Sequence, residues 1–263
     1  MPDEVSFERV GAILREAADT LIRPRFRHLD ADAVTIKSHA NDLVTVADLE
    51  TEVFLTRRLT DLLPGSQVLG EEAVYQAPET RKVLDGDAPV WIVDPVDGTA
   101  NFARGVPKFG VIVALVQNRR TLAGWILDPL TERLYTAAVG AGAWCDGRRL
   151  RVSARGRKGL NALSGCISRR MAERKRHLFG EITQQGSAAH DYMALAEGRL
   201  DFRLFRLLNP WDHAAGVLMV EEAGGYVRLL SGGPYAPVFH ADDALLIASD
   251  AATWADIRCA LGI

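Results

Sequence analysis

An α+β chain that grades into α/β, with helices packed over sheets, is what this sequence predicts. Three observations predict it. The first sixty residues carry helical stripes parted by short strand-like runs. The middle of the chain, from Phe109 to Cys145, is a series of short apolar runs separated by turn residues, the spacing of an antiparallel meander. The last seventy residues alternate helix and strand.

Taken in order, residues 5–29 place apolar side chains at Val10, Ile13, Leu14, Ala17 and Leu21, a helical stripe with Pro24 near its end. Val34-Thr35-Ile36-Lys37 reads as a short strand. Asn41-Asp42-Leu43-Val44-Thr45 leads into a long amphipathic helix from Thr45 to about Leu63, closed by Pro64-Gly65. Gln67 to Gly70 is a second short strand that runs into Glu71-Glu72, and a loop rich in Pro, Asp and Gly spans 77–89. The runs Phe109–Val116, Leu122–Leu127, Arg133–Ala138 and Ala143–Cys145 are parted by Asn118-Arg119-Arg120, Asp128-Pro129 and Gly140-Ala141-Gly142. Helices follow at about Ala189–Glu197 and Trp211–Glu222, the second ended by Gly224-Gly225. Strands are expected near Asp201-Phe202, at Tyr226–Leu230 and at Leu245–Ala248, with a C-terminal helix after Ser249. No repeat, low-complexity tract or interdomain linker interrupts this order.

The stretch Trp91 to Phe102 organises the rest. Val90 to Val93 reads as a buried strand that ends at Asp94-Pro95, because proline cannot donate to a ladder and restricts the residue before it. Asp97, Gly98 and Thr99 then open a helix, whose first N–H groups have no intrahelical acceptor. Two carboxylates, a hydroxyl and an anion-friendly helix start thus fall within one turn of chain, a way to hold hard divalent cations beside a phosphate. Asp-Pro and Asp-Gly are also ordinary turn dipeptides, so the segment alone leaves a bare turn open.

Composition narrows the classes. The 263 residues are 48% apolar and 25% charged, ordinary for a globular protein with a large core. A net charge of −3 gives no global pull toward nucleic acid or membrane. No N-terminal stretch joins basic residues to an apolar run, and no segment approaches the ~20 apolar residues of a membrane span. Cys145, Cys166 and Cys259 are few, odd in number and without metal-type spacing, so reduced thiols and a cytoplasmic setting are expected. Between Arg148 and Arg176 eleven residues are basic and one, Glu173, is acidic. Solvated faces explain such a run, as would a rim for an anionic substrate; the scarcity of aromatics among the charges weighs against nucleic acid.

Acids stand at three element ends: Glu71-Glu72, Asp94 with Asp97, and Asp212. Singly, these read as a solvated pair, a turn and a first-turn helix acid. Together they form an all-oxygen set without ligand-spaced His or Cys, which favours Mg²⁺, Mn²⁺ or Ca²⁺ over Zn²⁺ and suggests phosphoryl chemistry. His39 and His213 adjoin these motifs and read as lining or surface residues.

Gly70-Glu71-Glu72, Trp91-Ile92-Val93-Asp94-Pro95-Val96-Asp97-Gly98-Thr99-x-Asn101-Phe102, and Trp211-Asp212-x-Ala214-Ala215-Gly216 with Glu222-Ala223-Gly224-Gly225 resemble the signatures of the inositol monophosphatase family. Lys37, Asp42 to Thr45, Asp48, Gly142-Ala143-Trp144 and Gly186-Ser187-Ala188-Ala189 fit the family order, so the resemblance spans nearly the whole chain from about residue 5. It implies the layered αβαβα sandwich of the inositol monophosphatase and fructose-1,6-bisphosphatase type. It also implies one domain over 1–263, with halves of about 1–150 bearing the metal site and 151–263 the substrate side. Two or three Mg²⁺ ions are implied, with Mn²⁺ as a substitute. Glu71, Asp94 and the Val96 carbonyl would bind the first, Asp94, Asp97 and Asp212 the second, and Glu71 a third through water. Thr99, oriented by Asp48, would help Glu71 activate the attacking water. Backbone N–H groups of Gly98 and Thr99 would hold the phosphate, and Asp97, Ser187, Ala188 and Phe205 would face the substrate. A homodimer is implied by resemblance alone.

The pattern departs from the family at one point that matters. Seven residues before Asp212, where inositol-specific members carry a Glu that binds sugar hydroxyls, this chain has Phe205, with Arg206 beside it. A phenyl ring cannot accept those hydrogen bonds. The stretch from about Arg155 to Gly186 is also short and Arg-rich. The expected activity is therefore Mg²⁺-dependent hydrolysis of a small phosphorylated alcohol of the inositol-1-phosphate type. Histidinol phosphate, a sugar phosphate and a nucleotide 3′-phosphate are alternatives, and a non-catalytic metal- and phosphate-binding regulator is the alternative of another class.

Overall fold

The computed structural model describes residues 5–29, 34–36, 43–152 and 159–263. Lys37, His39, Asn41, Asp42 and positions 153–158 of the basic run lie outside the described residues.

Five layers stack in the order αβαβα. The first holds α1 (Phe7–Ala17) and α2 (Val46–Leu62). Ser6 caps α1 by accepting from Arg9 N–H at 3.1 Å, and the helix runs on through a π-helical turn to Pro24. Two short antiparallel strands, β1 (Val34–Ile36) and β2 (Leu43–Thr45), precede α2. These helices cover one face of a seven-stranded sheet made of β3 (Gln67–Gly70), β4 (Val90–Asp97), β5 (Gly110–Gln117), β6 (Arg120–Leu127), β7 (Leu134–Ala138), β8 (Gly142–Cys145) and β9 (Arg148–Arg149), in that order. β3 and β4 are parallel and every later pair is antiparallel, which is the expected meander.

Strand alternation sends Trp91, Val93, Val111, Val113 and Trp125 toward α1 and α2, and Ile92, Ile112, Ala114 and Ile126 toward the opposite face. On that face lie α6 (Ala188–Ala196) and α7 (Pro210–Glu222). The approach is close: a Cβ on Gly124 would stand 2.8 Å from the Ala215 Cα of α7. Beyond them is a five-stranded sheet, ordered β11 (Glu181–Thr183), β10 (Ser164–Cys166), β12 (Phe202–Phe205), β14 (Leu245–Ala248), β13 (Tyr226–Leu229). Its outer face, with Phe202, Leu204, Leu246 and Ala248, is covered by α5 (Arg169–Lys175) and α8 (Ala251–Leu261).

Three readings of the sequence need correction. β4 does not end at Asp94 but continues to Asp97. Asp94 pairs with Ile112 and Asp97 with Gly110, so β4 carries one residue more than β5 over this interval. Pro95 sits in that bulge, where no ladder hydrogen bond is owed. The Glu71-Glu72 pair is not a solvated loop: it opens a short helix, α3 (Glu71–Gln76), with Glu72 buried. The 77–89 loop likewise holds a 3₁₀ segment, Pro78–Asp85.

Candidate active site

The bulge in β4 aims two carboxylates, three residues apart on the strand, into one place. Asp94, Asp97 and Asp212 each offer an oxygen, all within 4.8 Å of one another. Asp212 comes from the first turn of α7, whose N-cap is Asn209, and Asn209 Nδ2 donates to its carboxylate at 3.3 Å. Asp94 is buried and its Oδ1 has no hydrogen-bond partner among the described residues.

Such crowding raises carboxyl pKa values. Burial, then the charges of Glu71, Asp97, Asp212 and Asp48, holds Asp94 well above the ordinary range. Asp212 is also well above it, through burial, then Asp97 and Glu71. Asp97 is pushed to about 6, mainly by burial. Asp48 is also near 6, through burial and the charge of Glu71 and against its hydrogen bonds. Glu71 stands outside the 4.8 Å cluster but close enough to bear on Asp48, Asp94 and Asp212. A largely buried all-oxygen cluster, with a carboxylate oxygen unpartnered among the described residues, suits a hard divalent cation, whose charge would remove the repulsion.

Thr99 opens α4 (Thr99–Ala103) behind Gly98, whose φ of 86° is left-handed. A side chain there would be strained, and its Cβ would stand 3.0 Å from Lys108 O. Thr99 Oγ1 lies 2.8 Å from Asp48 Oδ1 and 3.0 Å from the Val96 carbonyl, so its one proton has two acceptors. Asp48 itself belongs to a capping box at the start of α2, accepting from Thr45 N–H at 2.8 Å. Asp97 accepts from Ser187 Oγ, from Ala188 N–H at 3.0 Å and from Ala189 N–H at 2.8 Å, so it doubles as the acid at the α6 N-terminus.

A cavity of about 240 Å³ adjoins Asp97 and Asp212 and is also lined by Ser187, Ala188, Phe205 and His213. Phe205 stacks on Tyr192 with centroids 5.2 Å apart and meets His213 edge-on at 4.7 Å. His213 Nε2 lies 2.7 Å from the Leu207 carbonyl, which only a protonated Nε2 can satisfy; Nδ1 then accepts from Tyr192 OH at 2.9 Å. The ring is neutral, and burial lowers its pKa to about 4, so His213 is a lining residue.

The structure therefore gathers Asp48, Asp94, Asp97, Thr99 and Asp212 in one constellation, and places Ser187, Ala188 and Phe205 on the cavity wall. Sequence reasoning missed two residues. Glu52, buried on α2, accepts from Glu72 N–H and Ala73 N–H, both at 2.8 Å, and so sets the start of α3 where Glu71 stands. Its signal was an acid one turn after Asp48 on the same helix face. Arg203 lies 4.2 Å over the Phe205 ring and is paired with Asp191 at 2.6 Å. The basic run is divided: Arg148 approaches Glu197 at 3.6 Å, Arg149 lies by Trp144, Arg151 is exposed just after β9, and the rest of the described run is on α5 and the turn after it.

Comparison with known proteins agrees with this geometry. The sequence model of the inositol monophosphatase family matches residues 3–260. The inositol-1-monophosphatase of Rhizobium meliloti is 38% identical over 212 residues, 76% of each chain. The fructose-1,6-bisphosphatase/inositol-1-monophosphatase of Thermotoga maritima is 35% identical over 210 residues, 76% of this chain and 77% of that one. Among solved structures, an IMPase from Thermotoga maritima superposes with a TM-score of 0.81 at 27% identity, covering 96% of this chain and 94% of that one. No helix among the described residues is long and apolar enough to cross a membrane.

Proposed function

The chain belongs to the inositol monophosphatase family of metal-dependent phosphoric monoester hydrolases, and from that premise we propose that it hydrolyses a small phosphorylated alcohol with Mg²⁺ held by Asp94, Asp97 and Asp212. The observation that carries the reading is the acidic triad itself, above all the Oδ1 of Asp94, buried and without a hydrogen-bond partner among the described residues. Glu71 and the Val96 carbonyl complete the ligand set. A divalent cation bound there supplies a more acidic water and charge neutralisation at the leaving oxygen.

The chain's own groups do the rest. Asp48 orients Thr99 Oγ1, and Glu71 with Thr99 takes the proton of the attacking water. The open N–H groups at Gly98 and Thr99 hold the phosphoryl oxygens. Asp97 ties this arrangement to Ser187 and Ala188 at the α6 N-terminus, so residues of both halves act as one unit. Phe205 gives the leaving group an apolar wall where a polyol-binding carboxylate would stand. That departure keeps histidinol phosphate, a sugar phosphate or a nucleotide 3′-phosphate beside inositol-1-phosphate as the alcohol. A cytoplasmic setting and a homodimer belong to the same reading, and sedimentation velocity tests the second.

The test is phosphate release with and without Mg²⁺ across inositol-1-phosphate, histidinol phosphate, glycerol-2-phosphate, fructose-1,6-bisphosphate and 3′-phosphoadenosine 5′-phosphate. One preferred, Mg²⁺-dependent substrate is the expected result. Turnover that survives EDTA would overturn the metal assignment.

A further inference from the structure

The substrate cavity shares a lining residue with a second one. Arg206, the residue after β12, lines the cavity beside Asp97 and Asp212 and also an adjoining cavity of about 350 Å³. Arg170 and Arg174 of α5 and Lys175 surround this second cavity, and Met171 and Leu261 give it an apolar floor. None of its described lining residues is acidic. Lys175 Nζ donates to the Ala260 carbonyl at 3.1 Å. Arg170, Arg174 and Arg206 have no hydrogen-bonding or ion-pair partner among the described residues. Glu173, the acid of α5, faces Arg169 instead, at 3.8 Å.

Arg203 shows the contrast. It sits beside the same Phe205 but is neutralised by Asp191 and donates to the Leu204 carbonyl at 2.8 Å. Its charge is already answered within the fold, whereas those of Arg206, Arg170 and Arg174 are not. Like charges gathered without a counter-charge repel one another, and guanidinium forks match the paired oxygens of a phosphate or carboxylate. The apolar wall of Phe205 lines the same cavity as Asp97, Asp212 and Arg206. It suits a carbon skeleton that carries an anion at each end better than a neutral polyol.

We propose that the substrate bears a second anionic group, a phosphate or a carboxylate, which seats on Arg206, Arg170 and Arg174 while the phosphate to be cleaved lies at Asp94, Asp97 and Asp212. This rests on the phosphatase reading and narrows its substrate class. Because Arg170, Arg174 and Arg206 are exposed, the second contact acts mainly through KM and weakens with salt.

Three compounds sharing one six-carbon chain test it: D-glucitol 6-phosphate, 6-phosphogluconate and D-glucitol 1,6-bisphosphate. The expected result is a kcat/KM at least tenfold higher for one or both dianchored compounds, with the advantage in KM. Arg206→Ala and the double variant Arg170→Ala/Arg174→Ala should erase most of that preference. A lead for 6-phosphogluconate assigns the second group as carboxylate, and a lead for the bisphosphate assigns it as phosphate. Equal kcat/KM for all three would overturn the second subsite and leave the phosphatase reading standing. Calorimetric binding of D-glucitol 1,6-bisphosphate in EDTA, where turnover is off, separates the two claims. Weaker binding by at least fivefold in the double variant supports the subsite even if none of the three is hydrolysed, whereas the phosphatase reading falls only if the wider panel of phosphomonoesters is not hydrolysed either. Unchanged binding would overturn the subsite.

Discussion

Replacing Glu52 by Gln tests whether the metal site depends on a residue that touches no substrate. Glu52 is 6% exposed, and each of its oxygens accepts one backbone N–H at the start of α3, from Glu72 and from Ala73. The structure is built around this contact: a Cβ on Gly70 would fall 2.2 Å from the Glu52 carboxyl carbon. Gln keeps the shape but has one acceptor and one NH₂, so one N–H faces another donor. Losing a hydrogen bond to a buried charged group costs roughly 1.5–3 kcal/mol. Losing an acid at a helix N-terminus adds about 0.3–1 kcal/mol. The sum, ~2–4 kcal/mol, lowers Tm by about 4–16 °C at roughly 2–4 °C per kcal/mol for a chain of this size. Glu71 is the residue next to that frayed start, so half-maximal activity should need more Mg²⁺, by on the order of 10–100-fold in affinity. Thermal unfolding followed by circular dichroism and a Mg²⁺ titration of phosphate release measure the two effects. A Tm within about 1 °C of wild type together with an unchanged Mg²⁺ requirement would refute the reasoning, whatever the substrate.

Asp94→Asn should cut turnover on the order of a thousandfold, since a catalytic metal's charge stabilisation is worth several kcal/mol, and wild-type activity would unseat the assignment. In EDTA the same variant should be more stable than wild type, by a margin that grows with pH. The folded pKa of Asp94 is raised above its ordinary 3.8, so the wild-type protein loses stability as pH rises past that value, whereas Asn has no proton to lose. A Tm difference that shrinks from pH 4 to 7 would contradict this sign. Phe205→Glu should lower KM for inositol-1-phosphate about tenfold, the worth of one hydrogen bond to a charged group. It should also cost roughly 0.5–1.5 kcal/mol through the lost stack on Tyr192. No change in KM would mean that the side chain at 205 does not meet the alcohol.

What could be read from the sequence was what lies close along the chain. Asp94 and Asp97 share one strand end, so local chemistry announced that pair; Asp48 entered only through the resemblance, although it closes a capping box with Thr45 at one helix start. Asp212 stood out locally as a first-turn helix acid, but its role as a ligand beside Asp94 and Asp97 came through the resemblance, because nothing local ties it to residues more than a hundred positions earlier. Glu52 was missed for a related reason: its partners are the N–H groups of Glu72 and Ala73, which no side-chain pattern records. The end of β4 was misplaced because proline stops a regular ladder but not a bulge, and the bulge depends on how β5 pairs opposite it. β10 and β11 escaped because Ser164-Gly165-Cys166 and Glu181-Ile182-Thr183 are too short to show alternation; they become strands by lying beside β12 and beside each other.

Asp97 joins these levels, and it makes the site a proton balance as well as a cation site. Ser187, Ala188 and Ala189 donate to its carboxylate and favour the charged form, yet burial still leaves its pKa near 6. Asp94 and Asp212, which have fewer donors, are held higher. The metal-free cluster therefore keeps protons near neutrality that a cation must displace, because only the charged carboxylates ligate. Mg²⁺ binding at pH 6.5 should release about one proton or more, and less as pH rises toward 9. Calorimetry in two buffers of different ionisation enthalpy counts those protons. A release of zero at pH 6.5, or one that grows with pH, would mean that the acids are already fully charged in the empty site. The cluster would then be held open by its donors alone, and Asp94 would need a partner that the described residues do not provide.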